Sequence, residues 1–155
     1  MSQRFYSDPL AQGVGYPVIG DNSAVFNYAD AVFIDTDGFL DTATTSSKIM
    51  GFCIASGPLT MTSDNETVAM VCPQYVYSDN VQVIYPAASS VFSQTLVGSY
   101  FVFSGTTSGA FTMNITNSDT VGQFQLLGFN PDNDGTTTDG VFRVALDQRD
   151  VSASS

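Results

Sequence analysis

The stretch Asp132-Asn133-Asp134-Gly135-Thr136-Thr137-Thr138-Asp139 has the residue types of a hard-cation site, with oxygen ligands at its first, third, fifth and eighth positions. A calcium loop of the EF-hand kind also needs Gly at the sixth position and Glu at the twelfth, because those residues make the sharp turn and close the coordination sphere. Here they are Thr137 and Arg143. The match fails where the geometry is most demanding, so the segment is expected to be a long acidic hairpin turn, and no metal ligand is assigned. Histidine is absent, which removes the Ser-His-Asp, Cys-His and His-metal arrangements. Paired carboxylates could still run acid-base glycoside chemistry. Yet 14 of the 15 acidic residues are Asp, mostly beside Gly, Asn, Ser or Thr, where the ordinary role is a solvated turn carboxylate. The chain is therefore read as a non-enzyme with no cofactor.

Two further sets of reactive or ligand-binding residues remain. Cys53 and Cys72 lie inside the apolar runs KIMGFCIAS and VAMVCPQYV, where buried thiols are expected, with a disulfide as the alternative if those runs are neighbouring strands. Tyr75, Tyr77, Tyr85 and Tyr100 are candidates for a carbohydrate or receptor platform, since alternate tyrosines on one strand present their rings on one face. The competing reading is half-buried strand tyrosines with hydroxyls at the domain edge.

The surface that must carry any function is neutral to acidic. The chain has 18 Ser, 16 Thr and 8 Asn against 4 Lys plus Arg, and a formal net charge of -11. That charge repels phosphate backbones and anionic bilayers, so neither nucleic acid nor membrane is expected as a partner. Neither MSQRFYSDPL nor a later segment offers a long apolar stretch, so the expectation is a chain made in the cytoplasm without signal peptide or membrane span. At 155 residues it suits one compact domain, with or without an extended arm.

The elements read as β. Val32 and Ile34 alternate along AVFIDTDGFLDTA, and Asp37-Gly38 marks a tight turn before Phe39-Leu40. In AFTMNIT, Phe111, Met113 and Ile115 alternate with Thr112, Asn114 and Thr116, the pattern of a strand with one dry and one wet face. Residues 87–98 are short of turn formers and are read as a loop or strand, with a short helix carrying Val91, Phe92, Thr95 and Leu96 on one face as the alternative. The whole predicts an all-β fold, a compact barrel or sandwich of eight to ten short strands over 29–149, with a flexible tail at 150–155.

Residues 1–28 are read differently. Pro9 and Pro17 disfavour helix and a regular central strand, so this segment is expected to be an extended arm or edge element. Phe5, Tyr6, Leu10, Tyr16, Val18, Ile19, Phe26 and Tyr28 are its candidate interaction residues. Removing the arm is expected to leave the β-domain folded.

The order of PLAQGVGYPVIGDN, AVFIDTDGFLDTATTSSKIMGFCIAS, VQVIYPAASSVFSQTLVGSYFVFSG with GAFTMNI, and GQFQLLGFNPDNDGTTTDGVFRVAL resembles the small head decoration, or cement, proteins of tailed bacteriophages. The resemblance spans roughly residues 9–147. It implies a structural protein on the outer capsid surface of a virion, made in the host cytoplasm, with the major capsid protein as partner. Such proteins are often trimers, and a homotrimer is the preferred assembly because a threefold ring closes. The alternatives are a fibre or baseplate component, and a carbohydrate- or receptor-binding β-module.

Overall fold

The computed structural model describes residues 3–6, 16–54, 58–61, 67–72, 81–89, 91–116, 121–129 and 139–148, with the backbone alone for 16–18 and 67–72. The fold is all-β, as expected. Among the described residues there are fourteen strands, more and shorter than the eight to ten anticipated. A five-stranded antiparallel sheet runs β1 (Arg4–Phe5), β9 (Val83–Pro86), β14 (Asp139–Val144), β13 (Phe124–Phe129), β10 (Tyr100–Phe101). Around it lie the hairpin β11 (Phe103–Thr107) with β12 (Ala110–Met113), and a three-stranded sheet of β5 (Leu40–Thr42), β4 (Ala31–Ile34) and β6 (Gly51–Phe52). Two pairs complete it: β2 (Tyr16–Ile19) with β8 (Thr67–Cys72), and β3 (Val25–Phe26) with β7 (Leu59–Thr60). Opposed sheets sharing one core give the layering of a β-sandwich.

Period-two patterning explains the main core. Phe111 and Met113 of β12 are fully buried while Ala110 between the hairpin ends is exposed, and Phe124 and Leu126 of β13 are buried while Gln125 is only partly so. These side chains meet Tyr85, Phe101, Phe103 and Phe142 in one aromatic cluster. Phe103 packs edge-on against Phe111 at a centroid distance of 4.8 Å and against Phe124 at 5.0 Å, the geometry in which a ring's positive edge meets a negative face. Strand β4 is buried at Ala31, Val32 and Ile34 and half-buried at Phe33. Ala31 faces this cluster, whereas Val32 and Ile34 face a smaller core of Phe26, Leu40, Cys53 and Met61.

The Asp37-Gly38 hairpin forms as read. Gly38 has φ +88°, which costs a residue without Cβ little. Asp35 Oδ1 accepts from the backbone N–H groups of Asp37 and Phe39 at 2.9 and 3.0 Å, capping the loop from its base. At 87–98 the chain is mostly loop, with a single 3-10 turn at Gln94–Leu96. Phe92 anchors the stretch in the main core, but no residue of the turn itself is buried, so nothing stabilises a longer helix there.

The separable arm is corrected. Strands β1, β2 and β3 pair with β9, β8 and β7 respectively. Phe5 belongs to the main core and Phe26, 0% exposed, to the smaller one. These anchors find enough apolar surface within the domain itself, so the described part of 1–28 is integral to it. The tail at 150–155 lies outside the described residues.

Candidate functional site

The N-terminal strand is held by a polar hub that the spacing of the sequence does not announce. Asp30 is fully buried, and each carboxylate oxygen takes two donors. Oδ1 accepts from the Gly109 N–H at 2.8 Å and from Gln3 Nε2; Oδ2 accepts from the Asn27 N–H at 2.8 Å and from the Ser108 hydroxyl. Four donors from three separate segments thus converge on the two oxygens of one side chain. Two local conformations make the approach possible. Ala29 sits at φ +67°, turning the chain so that Asp30 points inward, and Gly109 at φ +82° brings the β11–β12 turn against Asn27.

Gln3 links this hub to the strand. Its Nε2 also donates to the Tyr28 carbonyl at 2.8 Å, and its Oε1 accepts from the Phe111 N–H at 2.9 Å. Arg4 Nη2 lies 3.1 Å from Asp139 Oδ2. Phe5 packs edge-on against Tyr28 and Phe52, at centroid distances of 5.1 and 6.0 Å. Beneath the hub, Tyr85 donates its hydroxyl proton to the Ala29 carbonyl at 2.7 Å. Burial pushes its pKa well above the ordinary tyrosine range, and the nearby Asp30 and Cys53 add to that shift. The phenol therefore stays a donor.

The eight candidate interaction residues divide. Tyr6, Ile19 and Tyr28 are 46%, 42% and 37% exposed. Phe5 and Phe26 are core residues, and offering them to a partner would cost the domain its own packing. Tyr16 and Val18 are described only in backbone, as part of β2. Leu10 lies outside the described residues. Tyr6 opens onto a cleft of about 170 Å³, together with Gln82, Leu127, Gly128, Phe129 and Val141. Gln82 and Phe129 were not singled out by sequence; pairing of β1 with β9 sets Gln82 opposite Tyr6, and Phe129 lines the same cleft from β13.

The tyrosine platform is also corrected. Tyr85 is 0% exposed at the centre of the aromatic cluster and Tyr100 is half-buried, while Tyr75 and Tyr77 lie outside the described residues. Cys53 is fully buried, as expected, in the smaller core. The side chain of Cys72 lies outside the described residues. Of the acidic loop, Asp139 is described: it is spent on Arg4, with Oδ1 lacking a hydrogen-bond partner among the described residues. No group of three or more metal-ligating side chains occurs among the described residues. Nor, among them, is any helix long and apolar enough to cross a membrane.

Comparison of the chain with protein-family models, with curated proteins and with solved structures returns no match.

Proposed function

We propose that this chain is a structural, non-enzymatic protein that decorates and stabilises the outer capsid surface of a bacteriophage virion. Its partners are the major capsid protein and further copies of itself, with a closed homotrimer as the preferred assembly. The observation that carries this reading is the exposure of Tyr6, Ile19 and Tyr28 on a domain whose aromatic core is already closed. Amphipathic and β-branched side chains of this kind supply contact area to a partner at little conformational cost. A net charge of -11 with a hydroxyl-rich surface suits a protein that must stay soluble until it meets its shell.

Mixing the purified protein with shells that lack it tests the proposal. Saturable, stoichiometric coverage of the faces is the expected result, and absence of binding across a range of salt concentrations overturns it. Labelling confined to vertices or tail would identify a fibre or baseplate component instead.

The cleft of Tyr6, Gln82 and Phe129 favours one second reading, a carbohydrate- or receptor-binding module, since an aromatic face beside an amide is how a sugar ring is held. Titration with a panel of mono- and disaccharides, followed by tyrosine fluorescence, decides it: saturable quenching that Tyr6→Ser abolishes supports the module, and a flat response removes it.

A further inference from the structure

Strand β1 lies in a slot built by residues far from it along the chain. Asp30, Tyr28 and Phe111 hold Gln3, Asp139 holds Arg4, and Tyr28 with Phe52 holds Phe5. The backbone joins the sheet edge over three residues only: Arg4 opposite Ile84, Phe5 opposite Val83, and the Tyr6 N–H donating to the Gln82 carbonyl at 2.9 Å. Alternate side chains entering separate sockets along a sheet edge is the way an added strand is recognised. Such a slot makes the same contacts with the same segment of another molecule.

We propose that β1 is an exchangeable strand, with residues 3–6 of one copy occupying the β9 edge of a second copy and so tying copies of this chain together. Exchange of an identical element conserves every socket contact, and its net gain comes from surface buried only in the pair. That surface is present. Tyr6 and Tyr28 flank the slot with 46% and 37% of their area exposed, and a second domain brought to this edge covers them. The chain can reach, because the ten steps from Tyr6 to Tyr16 extend to about 33–36 Å, so β1 can leave while β2 stays paired with β8. A two-residue edge strand also opens locally without global unfolding.

The proposal rests on the self-association in the reading above and not on the shell. Its test uses two full-length variants, Arg4→Cys and Ile84→Cys, opposed across β1 and β9, co-expressed, purified and oxidised. Directly opposed antiparallel residues lie about 5.5 Å apart, within disulfide range. The expected product is a disulfide-linked pair containing one chain of each kind, several-fold more abundant than any linked species from either variant expressed alone. Co-expressed variants that stay monomeric, while a single chain carrying both substitutions closes its own disulfide, would overturn the idea. Gln3→Ala supplies a second readout. Losing its buried hydrogen bonds should speed cross-linking of separately folded variants roughly tenfold on mixing, and an unchanged rate would count equally against exchange. No shell enters either experiment, so failure here leaves capsid binding to its own assay.

Discussion

Tyr85 and Asp30 concentrate the cost of error on single atoms. The Tyr85 hydroxyl satisfies the buried Ala29 carbonyl, so Tyr85→Phe leaves that oxygen without its donor and should lower unfolding free energy by about 1–3 kcal/mol in denaturant titration. Its raised folded-state pKa also fixes a sign. The folded chain holds the phenol proton more tightly than the unfolded chain does, so this contribution is complete below about pH 10 and falls as pH rises past it. Wild-type stability should decline above about pH 10 more steeply than that of Tyr85→Phe; parallel curves would remove Tyr85 as the cause. Asp30→Asn keeps the shape but places an amide nitrogen among four donors, and a loss of about 2–4 kcal/mol is expected. Ala29→Gly works in the opposite direction. Relief at φ +67° exceeds the extra unfolded-state entropy of glycine, so a gain of up to about 1 kcal/mol should appear as a raised Tm.

Elements show where local pattern is informative and where it stops. The Asp37-Gly38 hairpin and the alternation of Phe111 and Met113 are readable because turn chemistry and period-two burial are local properties. Strand β1 is not, since two residues carry no period and its partners stand at positions 83 and 84. Gln3 and Gln123 mislead for a related reason. A glutamine beside a strand reads as wet-face, yet Gln123 is 2% exposed, its Oε1 accepting from the Phe103 N–H and its Nε2 donating to the carbonyls of Thr44 and Ser47. Both side chains bind backbone groups of distant segments, and that role depends on tertiary contact alone. Glycine sets a comparable limit at the other edge of the main sheet. A Cβ on Gly122 would come within 2.7 Å of the Phe101 nitrogen and 2.9 Å of the Tyr100 carbonyl carbon, so Gly122→Ala must push β10 from β13. We expect a cost above about 2 kcal/mol, read by thermal unfolding, with faster hydrogen exchange at Phe101 and Phe124.

At the scale of the whole molecule, the candidate site follows from how the N-terminal segment is shared between core and surface. Aromatic content marked 1–28 as interactive, but composition cannot say which rings turn inward; Phe5 and Phe26 do, and Tyr6 and Tyr28 do not. Deleting residues 1–28 should therefore unfold the domain, with a cooperative transition lost in circular dichroism, because it removes three paired strands and two core phenylalanines. Tyr6→Ser removes a ring that is 46% exposed and should leave Tm within a few degrees while weakening self-association and shell attachment roughly tenfold. Charge gives the sign of the accompanying salt effect. Each copy carries -11, so bringing copies together opposes like charges, and the apolar contacts that draw them together are not screened. Shortening the Debye length from about 30 Å at 0.01 M salt to about 8 Å at 0.15 M removes most of that repulsion. Sedimentation across this range should show association strengthening with salt. An interface led by ion pairs would weaken instead, and that outcome would move the contact surface away from Tyr6 and Tyr28.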